Sequence, residues 1–441
     1  MRLTPSRGAR APPALRSPHR HLPDAAGPPA RLLRRVAPCY HRPSSSRRCH
    51  ERLLPKHDSA HLSARVASGA RSVVVIGGGL VGLSAAFHLR RADPQVRVTL
   101  LERARVGDAA SGASAAGVRA MGRDPAERAL ALESLGRWPE LDRELEGTTG
   151  YRRGGGLRVA LDDAGWAEAR ETVAGQRADD VPVELVDAAT AHRLAPGLSP
   201  DCRGGVHCAI DGQAEAIATV HAFAAGARRL GTRIEEGVAA AALAVEGGRV
   251  AAVARGDGSR EACDVAIVAG GAWSAPLLAR IGVPLPLHGR GLQMLLTDPA
   301  PAGLTPVVGC FGRPLSLKQL DDGAYLIGGG WPARIPDAAV NRWQLLDDSV
   351  RGSLEVARAV YPPLAARTVA RSWAGIEAFT PDDLPVLGPL PGVEGLLVAA
   401  GFSGHGFALV PAVGDILARL ALGLDPRAHL WRGLDVARHA W

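Results

Sequence analysis

The residues with the clearest chemical meaning stand six in a row, Gly77-Gly78-Gly79-Leu80-Val81-Gly82. Glycine at the first position permits a tight turn. At the third it lets backbone approach an anion, and at the sixth it lets a helix pack closely on a strand. Such a turn aims free N–H groups and roughly half a positive charge at a pyrophosphate. Glu102 lies 20 residues beyond Gly82, where a carboxylate accepts both hydroxyls of an adenosine ribose. That acid disfavours a 2′-phosphate, because two negative groups repel. A second glycine cluster, Gly401-Phe-Ser-Gly-His-Gly-Phe407, carries His405, whose charge changes near neutral pH.

These residues need elements to hold them. Ser72-Val-Val-Val-Ile-Gly77 is a β-branched run ending in glycine, which predicts a buried parallel strand. Leu80 to Arg91 follows as a helix, with Ala86 and Leu89 facing the sheet, and Val96 to Leu101 as a second strand. The same strand pattern recurs at Asp264-Val-Ala-Ile-Val-Ala269, before Gly270-Gly-Ala-Trp-Ser274. It recurs again at Leu396-Leu-Val-Ala-Ala400, before the second glycine cluster and a helix to about Gly423. The first unit alone does not separate FAD from NAD. A nicotinamide domain would run continuously through residues 72–220, whereas one sheet fed from three distant stretches is what a discontinuous FAD domain requires.

Composition narrows the field further. Residues 1–70 hold 13 Arg and one Lys against three acids, a net +11, so residues 71–441 carry −3. The overall excess of +8 therefore belongs to the first 70 residues, which removes the main argument for nucleic-acid binding. That segment, rich in Pro, Ser and His, is expected to be a disordered basic tail: a mis-called start, a transit segment, or a functional arm. No apolar run of membrane-spanning length occurs. The six cysteines include no CxxC pair, so no metal site is signalled. A cytoplasmic location follows, or an organelle matrix if the tail is a transit peptide.

Taken jointly, several motifs resemble the D-amino-acid oxidase/sarcosine oxidase superfamily of FAD-dependent oxidoreductases. They are Glu102-Arg103 with Gly107 and Ser111-Gly-Ala-Ser114, Gly117-Val-Arg119, Ala269 to Ser274, and Arg290-Gly-Leu-Gln293. Asp322 to Gly329, Trp373-Ala-Gly375 with Thr380-Pro-Asp382, Pro385 to Gly388, and Gly401 to Phe407 complete the set. Within that family the chain looks most like the flavin subunits of opine oxidase, hydrogen cyanide synthase and dye-linked proline dehydrogenase. The resemblance implies a discontinuous α/β FAD-binding Rossmann-like domain of the glutathione-reductase type, over residues 71–150, 214–278 and 371–425. It implies an α+β substrate domain with a mixed, mostly antiparallel sheet over 151–213 and 279–370, and a C-terminal extension over 426–441.

The resemblance also assigns roles. FAD, held non-covalently, would meet Gly77, Gly79, Leu80, Val81, Gly82, Glu102, Arg103, Ser111, Ser114 and Val238. Gly270, Gly271, Trp273, Gly401, Gly404, His405, Gly406 and Phe407 complete its expected contacts. Arg119 is the expected cation for a substrate carboxylate, with Arg290 and Lys318 as further candidates and Tyr325 as a pocket wall. His405 and Arg119 are the expected catalytic residues, His405 assisting deprotonation of an amine. No metal is expected.

The implied activity is oxidation of a C–N bond by hydride transfer to flavin N5, giving an imine that hydrolyses. The substrate would be a small amine or amino acid, with D-amino acids, glycine, sarcosine, proline, hydroxyproline and opines as classes. A partner subunit or external electron acceptor is also implied. Two alternatives stay open at this level: a flavin-bearing structural or assembly subunit with little turnover, and a flavin monooxygenase.

Overall fold

The computed structural model describes residues 71–439, so the expectations about residues 1–70 fall outside the described residues. The elements that build the site run in chain order as β1 (Ser72–Ile76), α1 (Leu80–Ala92), β2 (Arg97–Glu102), α2 (Pro125–Arg137) and α3 (Ala216–Arg229). They continue as β3 (Arg233–Glu236), β4 (Val265–Val268), β5 (His288–Pro299), β6 (Val369–Phe379), β7 (Val386–Pro389), β8 (Leu396–Ala400) and α4 (Gly406–Leu422).

β1 is apolar and almost wholly buried, as expected of a strand covered on both faces. It lies at the centre of a six-stranded sheet ordered β7-β8-β4-β1-β2-β3. All pairings are parallel except β7 with β8. The sheet thus draws its strands from the three separated stretches read in the sequence. Parallel strands put their C-terminal ends on one side, and ligands of such sheets bind outside those ends.

Helices α1 and α4 share a close contact made possible by small residues. A Cβ on Gly414 would collide with the Ser84 hydroxyl and stand 2.7 Å from its backbone carbon. The Ser84 hydroxyl donates to the Val410 carbonyl at 3.0 Å. Pro411 inside α4 has no N–H to offer the preceding turn. Near that gap, the Ser134 hydroxyl (2.7 Å) and Trp138 indole (2.9 Å) donate to the Ala408 carbonyl, tying the first turn of α4 to α2. Asp124 caps α2, accepting from the Ala126 N–H, with Pro125 in the first turn. Gly423, in the left-handed region at φ +68°, ends α4.

A second, ten-stranded sheet is mostly antiparallel, with one parallel pair between Gly156–Ala160 and Val307–Cys310. Its longest ladder joins β5 to β6, from His288↔Phe379 to Thr297↔Val369. Residues 371–379 therefore pair with the second sheet, although the sequence division gave them to the cofactor half. Motif spacing alone does not reveal which partner a strand finds. Residues 426–439 likewise differ from a simple extension. Leu430, Trp431, Leu434 and Val436 are buried, and Arg438 pairs with Asp382 at 2.9 Å. Among the described residues, no helix is long and apolar enough to cross a membrane.

Candidate active site

The turn between β1 and α1 has the geometry its glycines allow. Gly77 has φ +113°, and a Cβ there would run into the Ala269 carbonyl. A Cβ on Gly82 would strike the Gly77 carbonyl, and one on Gly79 would lie 3.0 Å from the Ser111 hydroxyl. The first turn of α1 has no side-chain cap at Gly79. The Leu80 N–H reaches the Ser111 hydroxyl at 2.9 Å, and Leu80, Val81 and Ser111 all line the cavity. Glu102, at the end of β2, is oriented by two backbone donors. Its Oε2 accepts from Gly78 N–H at 2.7 Å and its Oε1 from Ala104 N–H at 2.8 Å. A carboxylate held this way keeps lone pairs free for ribose hydroxyls.

One cavity opens from this turn along the C-terminal ends of β1, β2, β4 and β8. Gly77, Gly79, Leu80, Val81, Glu102 and Arg103 line it from the first β-α-β unit, and Ser111 and Ser114 from the loop beyond. Gly270, Gly271 and Trp273 line it after β4. Gly401, Gly404, Gly406 and Phe407 line it around the start of α4. Gly82 lies beneath the turn as a packing residue. Val238 packs against the apolar core while its N–H donates to the Glu102 carbonyl at 2.8 Å. The cradle, ribose carboxylate and second uncapped helix start fit a dinucleotide. The described cysteines are free, buried and outside the cavity.

Arg103 and Trp273 close one side. The guanidinium lies 3.7 Å from the indole ring centre and donates to the Ala339 carbonyl at 2.7 Å, while the indole N–H donates to the Ala338 carbonyl at 2.9 Å. The turn between strands Pro332–Asp337 and Arg342–Gln344 is thereby held against the cavity mouth.

The opposite end is built from the 401–404 loop and β6. The Ser403 N–H donates to the Ala378 carbonyl at 3.0 Å, using backbone that β5 leaves free. Three residues in the loop, Gly401, Ser403 and Gly404, have positive φ. His405 caps α4 by backbone position only. Its imidazole is not among the cavity-lining groups; Nδ1 stands 3.1 Å from Glu127 Oε2, out of line for a good hydrogen bond. Arg123 Nη2 donates to the His405 carbonyl at 3.3 Å. Burial, then Arg123, lowers the His405 pKa. Burial pushes fully buried Glu127 up, but His405 and Arg123 hold it below its ordinary value. The placement differs from the catalytic expectation for His405: its ring lies beside buried Glu127, whose Oε2 also stands 3.8 Å from Arg123 Nη1, the cation such a carboxylate needs.

Arg119 also lies outside the cavity lining, close enough to act electrostatically on Glu127, His405 and Asp211. Asp211 Oδ1 accepts from Ala120 N–H at 2.7 Å. Burial pushes the Asp211 carboxyl up to about 6, against the pull of the Ala120 N–H and Arg119. A raised carboxyl contributes stability below its ordinary value of 3.8 and loses it as pH rises through about 6. In urea unfolding, Asp211→Asn should therefore gain on the parent between pH 4 and 7, by up to about 3 kcal/mol. A pH-independent difference would refute this.

The remaining substrate candidates are placed elsewhere. Lys318 is buried, donates from Nζ to the Ala214 carbonyl at 2.7 Å, and is lowered to about 8 by burial. Tyr325 is a core residue whose ring centre lies 5.7 Å from that of Tyr361. Arg290 lies over Phe379 at 4.3 Å, with Nε against His288 Nε2 at 3.0 Å. None of the three lines the cavity. A strand's sequence reveals its alternation but not which face meets a ligand.

Glu377 does line the cavity and was not anticipated. It sits in β6 between the buried Ile376 and Ala378, and burial raises it to about 7 against the pull of the nearby Gly404 N–H. An acid inside the apolar run Trp373 to Phe379 was the available signal.

Comparison with known proteins agrees with this architecture. The model of the family described as FAD dependent oxidoreductase matches residues 72–420. Glycine oxidase of Pseudomonas putida is 29% identical over 367 residues, covering 81% of this chain and 96% of that protein. Hydrogen cyanide synthase subunit HcnC of Pseudomonas protegens is 28% identical over 413 residues, covering 83% and 96%. Among solved structures, glycine oxidase of Geobacillus kaustophilus superposes with a TM-score of 0.76 at 24% identity, covering 85% of this chain and all of that one.

Proposed function

The chain belongs to the FAD dependent oxidoreductase family, an FAD-binding amino-acid or amine oxidase or dehydrogenase, and from that premise we propose that it oxidises a substrate C–N bond to an imine. The observation carrying this reading is a single cavity that meets the N-terminal starts of α1 and α4, neither capped by the side chain of its own first residue, assembled from three distant stretches of chain. Bound FAD supplies a two-electron, hydride-accepting centre; the protein supplies position and electrostatics.

Gly77, Gly79 and the α1 N-terminus would hold the pyrophosphate, and Glu102 the ribose. Backbone N–H groups at the start of α4 would stabilise negative charge developing at that end of the cavity. Glu127, Arg123 and Arg119 would hold His405 and the 401–404 loop in place, which makes His405 a positioning residue. The imine leaves and hydrolyses in water. HcnC is named as a subunit, which supports looking for a partner or external electron acceptor here.

The test is the anaerobic visible spectrum of the flavoprotein before and after glycine, sarcosine, L-proline, D-amino acids, opines and simple amines. Bleaching of the oxidised-flavin band by at least one of them is the expected result. A flavin spectrum unmoved by every C–N donor would overturn the reading.

A further inference from the structure

The charged side chains lining the cavity are Glu102, Arg103 and Glu377. Glu102 is committed to backbone donors, and Arg103 is stacked on Trp273 beside it. Glu377 stands apart from both, at the end formed by Phe402, Gly404 and Phe407. Its cross-strand neighbour is Arg290, yet that guanidinium lies over Phe379 and contacts His288. Among the described residues, no cation forms an ion pair with Glu377. Among the described residues, the Gly404 N–H is the donor that favours its charged form.

Glu377 is half-buried, and a carboxylate set among Ile376, Ala378 and Phe402 without a cation becomes costly when a ligand closes over it, unless that ligand brings the missing charge. The cations expected to anchor a substrate carboxylate, Arg119, Arg290 and Lys318, are all outside the lining. An α-carboxylate beside Glu377 would instead place two anions together.

We propose that Glu377 receives the substrate's ammonium nitrogen, so that the cavity selects a cationic amine over an amino acid anchored by its carboxylate. This inference deepens the oxidation reading and rests on it. An ammonium cannot lose hydride from its carbon until its nitrogen regains a lone pair. Glu377 takes that proton: an N–H bond breaks, an O–H bond forms, the electron pair stays on nitrogen, and nothing is oxidised or reduced in that step. A carboxyl whose proton affinity lies near neutral pH is suited to it.

The experiment uses the FAD-loaded protein and two probes that cannot be oxidised at a C–N bond with a free lone pair, tetramethylammonium and acetate. Each is titrated against the visible spectrum of the bound flavin. Saturable perturbation by tetramethylammonium, with acetate at least tenfold weaker, is expected. Glu377→Gln should weaken the cation at least tenfold without changing flavin content, and Glu377→Asp should keep the preference for cation over anion. If E377Q fails to hold flavin, the comparison of the two probes on the parent protein decides. A second arm measures anaerobic flavin reduction by the pairs dimethylamine and sarcosine, methylamine and glycine, and pyrrolidine and L-proline. The member lacking a carboxylate should reduce faster in each pair. Acetate binding in preference to tetramethylammonium, with the amino acids reducing faster, would overturn the proposal and leave the oxidation reading standing. Cation binding lost in E377Q with no reduction by any amine would support the Glu377 site and count against oxidation alone.

Discussion

Gly82→Val should yield a colourless protein whose affinity for FAD is at least a hundredfold below the parent's, a loss of about 2.7 kcal/mol or more. A Cβ at this position meets the Gly77 carbonyl oxygen, with Val75 Cγ1 only 3.2 Å away, so no side-chain rearrangement can make room. The helix must move off β1, carrying its N-terminal N–H groups away from the pyrophosphate and displacing Leu80 from Ser111. The flavin-to-protein absorbance ratio after purification and a fluorescence titration with FAD measure the effect. Gly136→Ala is the matched control. It lies exposed in α2 with nothing within 4 Å of an added Cβ, so it should retain flavin and gain up to about 1 kcal/mol from helix propensity. Full flavin content in G82V would show that the turn does not bind the cofactor.

Gly414→Val should cost about 3 kcal/mol or more of stability, the upper end for forcing volume into a packed core. The new side chain would enter the Ser84 hydroxyl and crowd backbone of α1, where the two helices touch through their smallest residues. Both helices direct their N-termini at the cavity, so prying them apart should also weaken FAD. The two variants separate by their response to excess cofactor. Ligand binding stabilises a folded state by mass action, so saturating FAD should recover part of the melting temperature of G414V. It should recover much less in G82V, whose cradle is itself displaced. An unchanged melting temperature for G414V would contradict the helix contact described above.

Much of the cofactor end was legible because its determinants are local. Gly77, Gly79 and Gly82 act through backbone geometry within one turn, and Glu102 sits at the end of the very next strand. Apolar runs at β1, β4 and β8 identified buried strands, and their wide separation along the chain already implied a sheet assembled from distant segments. The substrate end was much less legible. Lys318 and Arg290 look alike in sequence as cations on strands of one sheet, yet one is buried against the Ala214 carbonyl and the other lies on Phe379. His405 sits in the predicted loop, but its ring stands beside Glu127, 278 residues away in sequence, and outside the cavity lining.

The amino-acid sequence by itself determined the β-α-β unit, the glycine cradle and the ribose carboxylate, since each depends on spacing within a few turns of chain, and the recurrence of such segments far along the chain added membership of a flavoenzyme fold. Only the tertiary structure decided which charges face the cavity. That choice depends on strand register, where a shift of one residue reverses every side chain, and on buried partners brought from far along the chain. Pairing of β6 with β5 places Glu377 where the cavity reaches it, while Arg119, Arg290 and Lys318 lie outside the lining. A buried charge is arranged by the neighbours that pay its desolvation, and those neighbours exist only once the chain has folded.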